Sequence, residues 1–313
     1  MLRYLLLATA LATPLATPAF AQDWPRTLPH EGGELTLTAP PQRIVSTSPS
    51  LTGILLAMDV PLLASTAATR TPLTDENGFF TQWADVAVSR DVAVLYPNLT
   101  FDIEALMIAA PDLIIGASTG ADSIVSYLPD LQAMDMPVFV LNYSNHSWQD
   151  LARQIGAATG HEAGAEAAIA RFDTEMAAIR AQLPAGGGRV TVVGYNLGGS
   201  YSIGRTESPQ ARVVEALGFD ILPLPEALRP QVSRSSDFDF ISHEYLSAAI
   251  EGETVFLFGA DQSGVAAFMA DPVLANLPAV QAGRVYALGL SSFRVDYYSG
   301  LQMAHLVADA LTQ

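Results

Sequence analysis

Between Ser147 and Arg189 apolar residues return at steps of three and four: Ala165, Ala168, Phe172, Met176, Ile179 and Leu183. That spacing marks one face of a helix. Glu162, Glu166, Arg171, Glu175 and Gln182 hold the opposite face. A shorter helix precedes it, with Trp148, Leu151 and Ile155 on one side and Ser147 placed as its N-cap. Thr159-Gly160 separates the two, and Pro184 with Gly186-Gly187-Gly188 stops the second. About 22 residues at ~1.5 Å each predict a rod of roughly 33 Å. On both sides of it short apolar runs alternate with amphipathic ones. The expectation is a stiff spine joining two α/β halves; the alternative is one amphipathic helix lying on a single sheet.

Along the first half the pattern predicts an irregular lead-in over 23–40, with Pro25, Pro29 and Pro40, then strands at Arg43–Thr47, Leu62–Ala64, Asp112–Gly116 and Pro137–Leu141. Helices are expected from Pro49 through Met58, over Gly78–Trp83, from Thr100 to just before Pro111, and over Ala121–Leu131. After the spine the alternation restarts. Strands are expected at Val190–Tyr195, Thr254–Phe258 and Arg284–Leu288, and helices at Pro209–Leu217, Tyr245–Ile250, Val265–Met269 and Tyr298–Leu311. Strand–helix alternation of this kind builds parallel sheets covered by helices.

The first residues change the picture of where the chain works. Met1-Leu2-Arg3, an apolar run to Leu15 and the small-x-small Ala19-Phe20-Ala21 read as an export leader over 1–21. Its apolar core is shorter than the ~20 residues a membrane span needs. Of 313 residues, 292 then remain for the mature chain, enough for one large domain or two modest ones. With no cysteine, neither a disulfide nor a lipid-modified N-terminal cysteine is available. The formal charge of −17 argues against nucleic acid and anionic membrane surfaces. All 15 basic residues are arginine, whose planar fork of donors suits oxyanions.

Catalytic signatures are thin. The glycine-rich Gly194–Ser200 lacks dinucleotide and phosphate-loop spacing and reads as a close-packed loop. The five histidines are scattered, and Asp237 with Asp239 reads as a pair of solvated loop acids rather than a general acid and base. No enzyme is expected. Two acids do share a setting: Glu104 and Glu244 each fall in the first turn of a helix that leads into a strand, Asp112–Gly116 or Thr254–Phe258. The helix dipole alone explains an acid there; the functional reading is a matched pair that docks a basic, two-fold partner.

Eight stretches carry a family resemblance: 41–59, 78–90, 111–123, 142–162 (NYSNHSWQDLARQIGAATGHE), 207–219, 256–262, 274–289 and 293–300 (FRVDYYSG). In that order they resemble the periplasmic binding proteins for siderophores, haem and cobalamin that feed ABC importers, nearest to the ferric-enterobactin-binding members. The resemblance implies a class III fold of the helical-backbone type, with two βαβ-type lobes joined by a long α-helix. The expected divisions are a lobe over 22–145, linking helices over 146–187 and a second lobe over 188–313. It implies a monomer, free in the periplasm, that carries no cofactor and binds a ferric siderophore, catecholate in kind, between the lobes.

The site residues follow from the same resemblance. Glu104 and Glu244 match the family's acids that grip the inner-membrane permease. Arg294 matches best among ligand-binding positions, with Arg90, Arg70, Arg205, Arg234 and Tyr297 as further candidates. A ferric tris-catecholate has its iron saturated by its own oxygens, so contact falls to charge and cation–π interaction. Around Tyr201–Arg205 the chain departs from the ferric-enterobactin-binding member it most resembles, which has an aromatic where Gly204 falls, and this leaves the siderophore's identity open. Haem or cobalamin is the alternative ligand, with Tyr201, Tyr297 or His243 as axial candidates; an enzyme or chelatase on the same scaffold is the alternative of another class.

Overall fold

The computed structural model describes residues 24–144, 146–184, 186–235 and 237–312. The leader expected over 1–21 lies outside the described residues. The described chain opens with a hairpin, β1 (Arg26–His30) and β2 (Gly33–Leu37), in place of an irregular lead-in. A two-stranded ribbon is all edge, and edges tolerate the N–H that Pro29 lacks. Leu28 and Leu35 pack from it onto the core.

The first sheet is parallel throughout. Its elements are β3 (Ile44–Ser46), α1 (Pro49–Ala57), β4 (Leu62–Ser65), α2 (Ala84–Ser89), β5 (Ala93–Val94), α3 (Ile103–Ala109), β6 (Leu113–Ala117), α4 (Leu128–Ala133) and β7 (Val138–Leu141), with strand order β5-β4-β3-β6-β7. β3, β6 and β7 are buried along their whole length, as strands covered on both faces must be. Two expected helices are shorter or displaced. Over Gly78–Trp83 the Asp75 carboxylate accepts from the backbone N–H of Asn77 and Phe79, at 2.9 and 2.8 Å, and this local turn wins over helix; α2 begins only at Ala84. Over Ala121–Leu131 the Ile124 N–H donates to the Ala117 carbonyl, which draws the segment to β6, and helix resumes at α4 with Pro129 in its first turn.

The spine forms as two helices, α5 (Trp148–Thr159) and α6 (Glu162–Arg180). Ser147 Oγ caps the first by accepting the Asp150 N–H, and Gly160 ends it at φ +75°, a conformation that favours glycine. Ala165, Ala168, Phe172, Met176 and Ile179 are buried as their spacing requires, whereas Leu183 lies beyond the helix end. Gly164 is where α6 meets α1, since a Cβ there would come 2.4 Å from the Met58 carbonyl. Arg171 fixes the same junction by donating to the Ala57 carbonyl at 2.7 Å.

The second sheet is mixed. β8 (Arg189–Leu197), β9 (Ser200–Gly204), α7 (Pro209–Ala216), β10 (Asp220–Ile221), β11 (Ser233–Arg234), β12 (Phe238–Ile241), α8 (Leu246–Ala249), β13 (Thr254–Leu257), α9 (Gln262–Met269), α10 (Pro278–Gln281), β14 (Val285–Ala287) and α11 (Tyr297–Thr312) follow in chain order. The strand order is β11-β12-β9-β8-β13-β14, with β10 also on β8. β8, β13 and β14 pair in parallel as the alternation predicted, and the short β10, which was not expected, joins β8 in parallel; β9, β11 and β12 form antiparallel ribbons. The cause is the glycine-rich stretch. Gly198 and Gly199, at φ +60° and +83°, make a two-residue turn that folds β8 back as β9. One buried cluster runs from Ile44 and Ile115 of the first sheet through Phe172 and Met176 of α6 to Val190 and Phe256 of the second. The fold is α/β, with two helix-covered sheets joined through the spine.

Candidate functional site

In an open α/β sheet, ligands bind beyond the carboxyl ends of the strands. At that end of the first sheet, just past β7, stands Tyr143. Its hydroxyl donates to Asp122 Oδ1 at 2.6 Å, and Ser48 Oγ donates to Asp122 Oδ2. Tyr143 and Asp122 are both buried. Burial first, then the neighbouring Asp122 charge, pushes the Tyr143 hydroxyl above its ordinary pKa, so it stays a donor. Only glycine fits at position 120, where a Cβ would come 1.7 Å from the Tyr143 oxygen.

Arg294 reaches this tyrosine from the other half of the chain. It follows β14, and its Cζ lies 4.7 Å from the Tyr143 ring centroid and 4.8 Å from that of Phe293. The backbone beneath it is fixed on several sides. Gln210 Nε2 donates to the carbonyls of Ser292 and Phe293 at 2.9 and 3.3 Å, and Ser299 Oγ donates to the Arg294 carbonyl at 2.7 Å. The Gly259 N–H donates to Ser292 Oγ. No carboxylate of the described residues lies within ion-pair distance of the Arg294 guanidinium. A pairing with Asp296 fails because that side chain is buried and accepts the Ser299 N–H at the start of α11. Arg294 and Phe293 also face Leu73, Phe80 and Gln82 of the first half across a narrow cavity.

The other candidates separate. Arg70 is exposed on the loop after β4, three residues before Leu73, and makes no ion pair with a described residue. Arg205 lines a cavity of about 210 Å³ with Ser144 of the first half and His146 and Ser147 at the start of the spine. It lies 3.7 Å from Glu207 Oε2, and Nη1 donates to the Ser235 carbonyl. Arg90 sits elsewhere: it donates to the Leu56 carbonyl at 2.8 Å and to Asp59 Oδ1 at 2.6 Å, at the amino end of β4, the opposite end of the sheet from Tyr143. Arg234 is committed to a forked pair with buried Asp239, at 2.7 and 3.3 Å. Tyr297 packs into the spine, edge-on to Trp148, near Phe172 and beneath Arg171. These three sit in structural contacts and not in the Tyr143–Arg294 group.

Glu104 and Glu244 are both exposed, in the first turn of α3 and in the short 3-10 turn His243–Tyr245. Asp102 already caps α3 by accepting the Ala105 N–H, so capping leaves Glu104 unused. Beside Glu244, His243 Nε2 lies 2.5 Å from Asp271 Oδ2, which also accepts the Tyr195 hydroxyl at 2.7 Å. Burial would raise the Asp271 pKa, but the hydrogen bonds from His243, Tyr195 and the Val273 N–H hold it below the usual range. Among the described residues no group of three or more His, Asp or Glu side chains could hold a metal ion.

Tyr143 and Asp122 escaped the sequence reading. An aromatic just past a buried strand was a signal for the first; the second lay unremarked in a segment read as helix.

The chain is 41% identical over 305 residues to the ferric enterobactin-binding periplasmic protein FepB of Escherichia coli O6:H1, covering 96% of this chain and 95% of that one. Its structure matches that of holo-ViuP with a TM-score of 0.81 at 34% identity, over 93% of this chain and 99% of that one. A FhuD fold-family component of a ferrichrome ABC transporter from Bacillus subtilis shares the fold, with a TM-score of 0.66 at 18% identity over 91% and 99% of the two chains. The family model described as periplasmic binding protein matches residues 44–290, and the chain belongs to that family.

Proposed function

We propose that this chain is the substrate-binding component of an ABC importer and that it binds a ferric catecholate siderophore between its two sheets. The observation that carries the reading is Arg294, half-buried at the junction of the halves, in contact with the Tyr143 and Phe293 rings and without a carboxylate partner among the described residues. A cation held in that way awaits an anion, and the likeness to FepB supports a ferric catecholate as that anion. Arg70 extends the positive lining, Arg205 joins it beside Glu207, and Glu104 and Glu244 serve as the permease contacts. The iron arrives as cargo within its chelator, so no protein ligand to it is required. The lobes extend over 22–145 and 188–313, joined by 146–187, and the working place is the periplasm after removal of 1–21. Among the described residues no helix is long and apolar enough to cross a membrane.

Haem is less well served. Of its three axial candidates, Tyr297 is packed in the spine, and Tyr201 and His243 pack on each other, ring centroids 4.9 Å apart, beside Asp271 rather than in the Tyr143–Arg294 group. An acid–base enzyme is likewise poorly served, since Asp239 is bound to Arg234. The test is fluorescence titration of the mature chain, with buried Trp83 and Trp148 as reporters, against ferric enterobactin, ferrichrome, haem and cobalamin. Saturable quenching strongest for ferric enterobactin is expected. Tighter binding of haem or cobalamin overturns the assignment.

A further inference from the structure

Arg294 is a second-half residue whose charge is steadied by the first half, and the chain of contacts behind it is longer than recognition of an anion requires. Tyr143 is held by Asp122, Asp122 is also held by Ser48 at the start of α1, and Gly120 keeps the space for the hydroxyl. The buried Asp122 carboxylate makes no ion pair with the guanidinium, and its contact with Arg294 runs through the tyrosine it holds.

We propose that Tyr143, braced by Asp122, is the positioning residue that fixes Arg294 in its ligand-facing posture, and that this pair sets the preference for anionic chelates. The inference rests on the siderophore-binding reading above. Three physical points carry it. An arginine side chain has four torsions to freeze, and contact with two aromatic rings, at 4.7 and 4.8 Å from their centroids, removes much of that freedom before the ligand arrives. A ring contact leaves the cation's charge uncancelled, whereas an Asp in direct contact would neutralise it. The tyrosine hydroxyl is spent on Asp122, so the residue offers Arg294 a face and offers the ligand no competing donor.

The test separates this inference from the reading beneath it. In the ligand-free protein, NMR relaxation of the Arg294 Nε–H reports how firmly the side chain is held, whatever ligand the protein takes. High order is expected in the parent, a clear loss in Tyr143→Leu and an intermediate value in Tyr143→Phe and Asp122→Asn. Titration with ferric enterobactin then reads affinity. Tyr143→Leu should bind roughly three- to thirtyfold more weakly, the range of a cation–π contact, and Tyr143→Phe only a few-fold more weakly. The same Tyr143→Leu change made on Arg294→Ala should cost little more, because the platform then has nothing to carry. An Arg294 Nε–H equally ordered in all variants, or an equal loss with and without Arg294, overturns the proposal. If Tyr143→Leu does not fold, Tyr143→Phe and Asp122→Asn decide it by the same readings. If the parent fails to bind ferric enterobactin while the relaxation pattern holds, the ligand assignment falls and the positioning role stands.

Discussion

At the scale of single residues, the arginines divide by what they already hold. Arg294 has no ion pair to lose among the described residues, so Arg294→Ala should lower thermal stability only by its ring contacts, ~0.5–1 kcal/mol each. It should weaken siderophore binding tenfold to a hundredfold, the equivalent of a charge-assisted contact of ~1.5–3 kcal/mol. Arg294→Lys should not restore it, because an ammonium lacks the planar face that stacks on Tyr143. Arg234→Ala should do the reverse. It strands buried Asp239 beside a half-exposed partner, at a cost between the ~0–1 kcal/mol of an exposed pair and the ~3–5 kcal/mol of a buried one. Melting temperature should therefore fall while affinity holds. Measuring both quantities on each variant checks the division; an affinity loss in Arg234→Ala without unfolding would return that residue to the site. Sequence gave no means to sort these side chains. Arg90 is claimed by Asp59, 31 positions away, and Arg234 by an acid that faces it only because β11 and β12 pair in one register, Arg234 opposite Asp239.

Asp271 adds a pH dependence whose sign can be worked out. Its folded pKa lies below the ~3.9 of an unfolded aspartate because His243, Tyr195 and the Val273 N–H donate to the ionised form against the upward push of burial. A group depressed on folding stabilises the protein above its unfolded pKa, and that stabilisation is lost as pH falls through the folded value. Denaturant melts between pH 5 and pH 2 should therefore show the parent losing stability. Asp271→Asn, less stable at neutral pH, should show a shallower fall over the same window. Parallel curves would mean that the contact contributes nothing to acid sensitivity.

At the scale of elements, the spine was legible because period and stop signals agreed: a 3.6-residue stripe, a serine cap, then proline and glycine. The parallel first sheet was legible for the same reason, as short apolar strands between amphipathic helices. The second sheet was not. The turn at Gly198-Gly199 reverses the chain, and a glycine-rich loop reads the same in sequence whether the chain that follows runs on to a helix or folds back as a strand. Gly164 gives a test in which two physical effects oppose each other. Inside α6, glycine costs about 1 kcal/mol relative to alanine, so propensity alone predicts that Gly164→Ala stabilises. Its Cβ would stand 2.4 Å from the Met58 carbonyl, a backbone atom that cannot step aside without moving α1 from α6. A lower melting temperature is expected. A rise would show that the helices have room to separate at no cost.

At the scale of the whole molecule, the two exposed glutamates and the spine make separate demands. If Glu104 and Glu244 meet the permease, each changed to Ala should keep full ligand affinity and reduce siderophore uptake by cells, and the double change should reduce it further. Normal uptake in the double variant would leave only the helix dipole to account for the pair. The spine governs how far the halves can move on binding. α6 is bound to the first half through Gly164 and through Arg171 at the Ala57 carbonyl, and Phe172 packs on Trp148 and on Gly300 of α11. Its buried face lies in the same cluster as strands of both sheets. Opening by a large rotation would pull this shared core apart and expose apolar surface at ~25 cal/mol per Å², with no extended crossover to absorb the bend. Motion should be confined to small rotations and to the side chains about Arg294. Small-angle scattering of the ligand-free and siderophore-bound protein should give nearly the same radius of gyration. A clear compaction on binding would mean that α6 bends or slides on α1, and that the shared core is not what holds the halves in place.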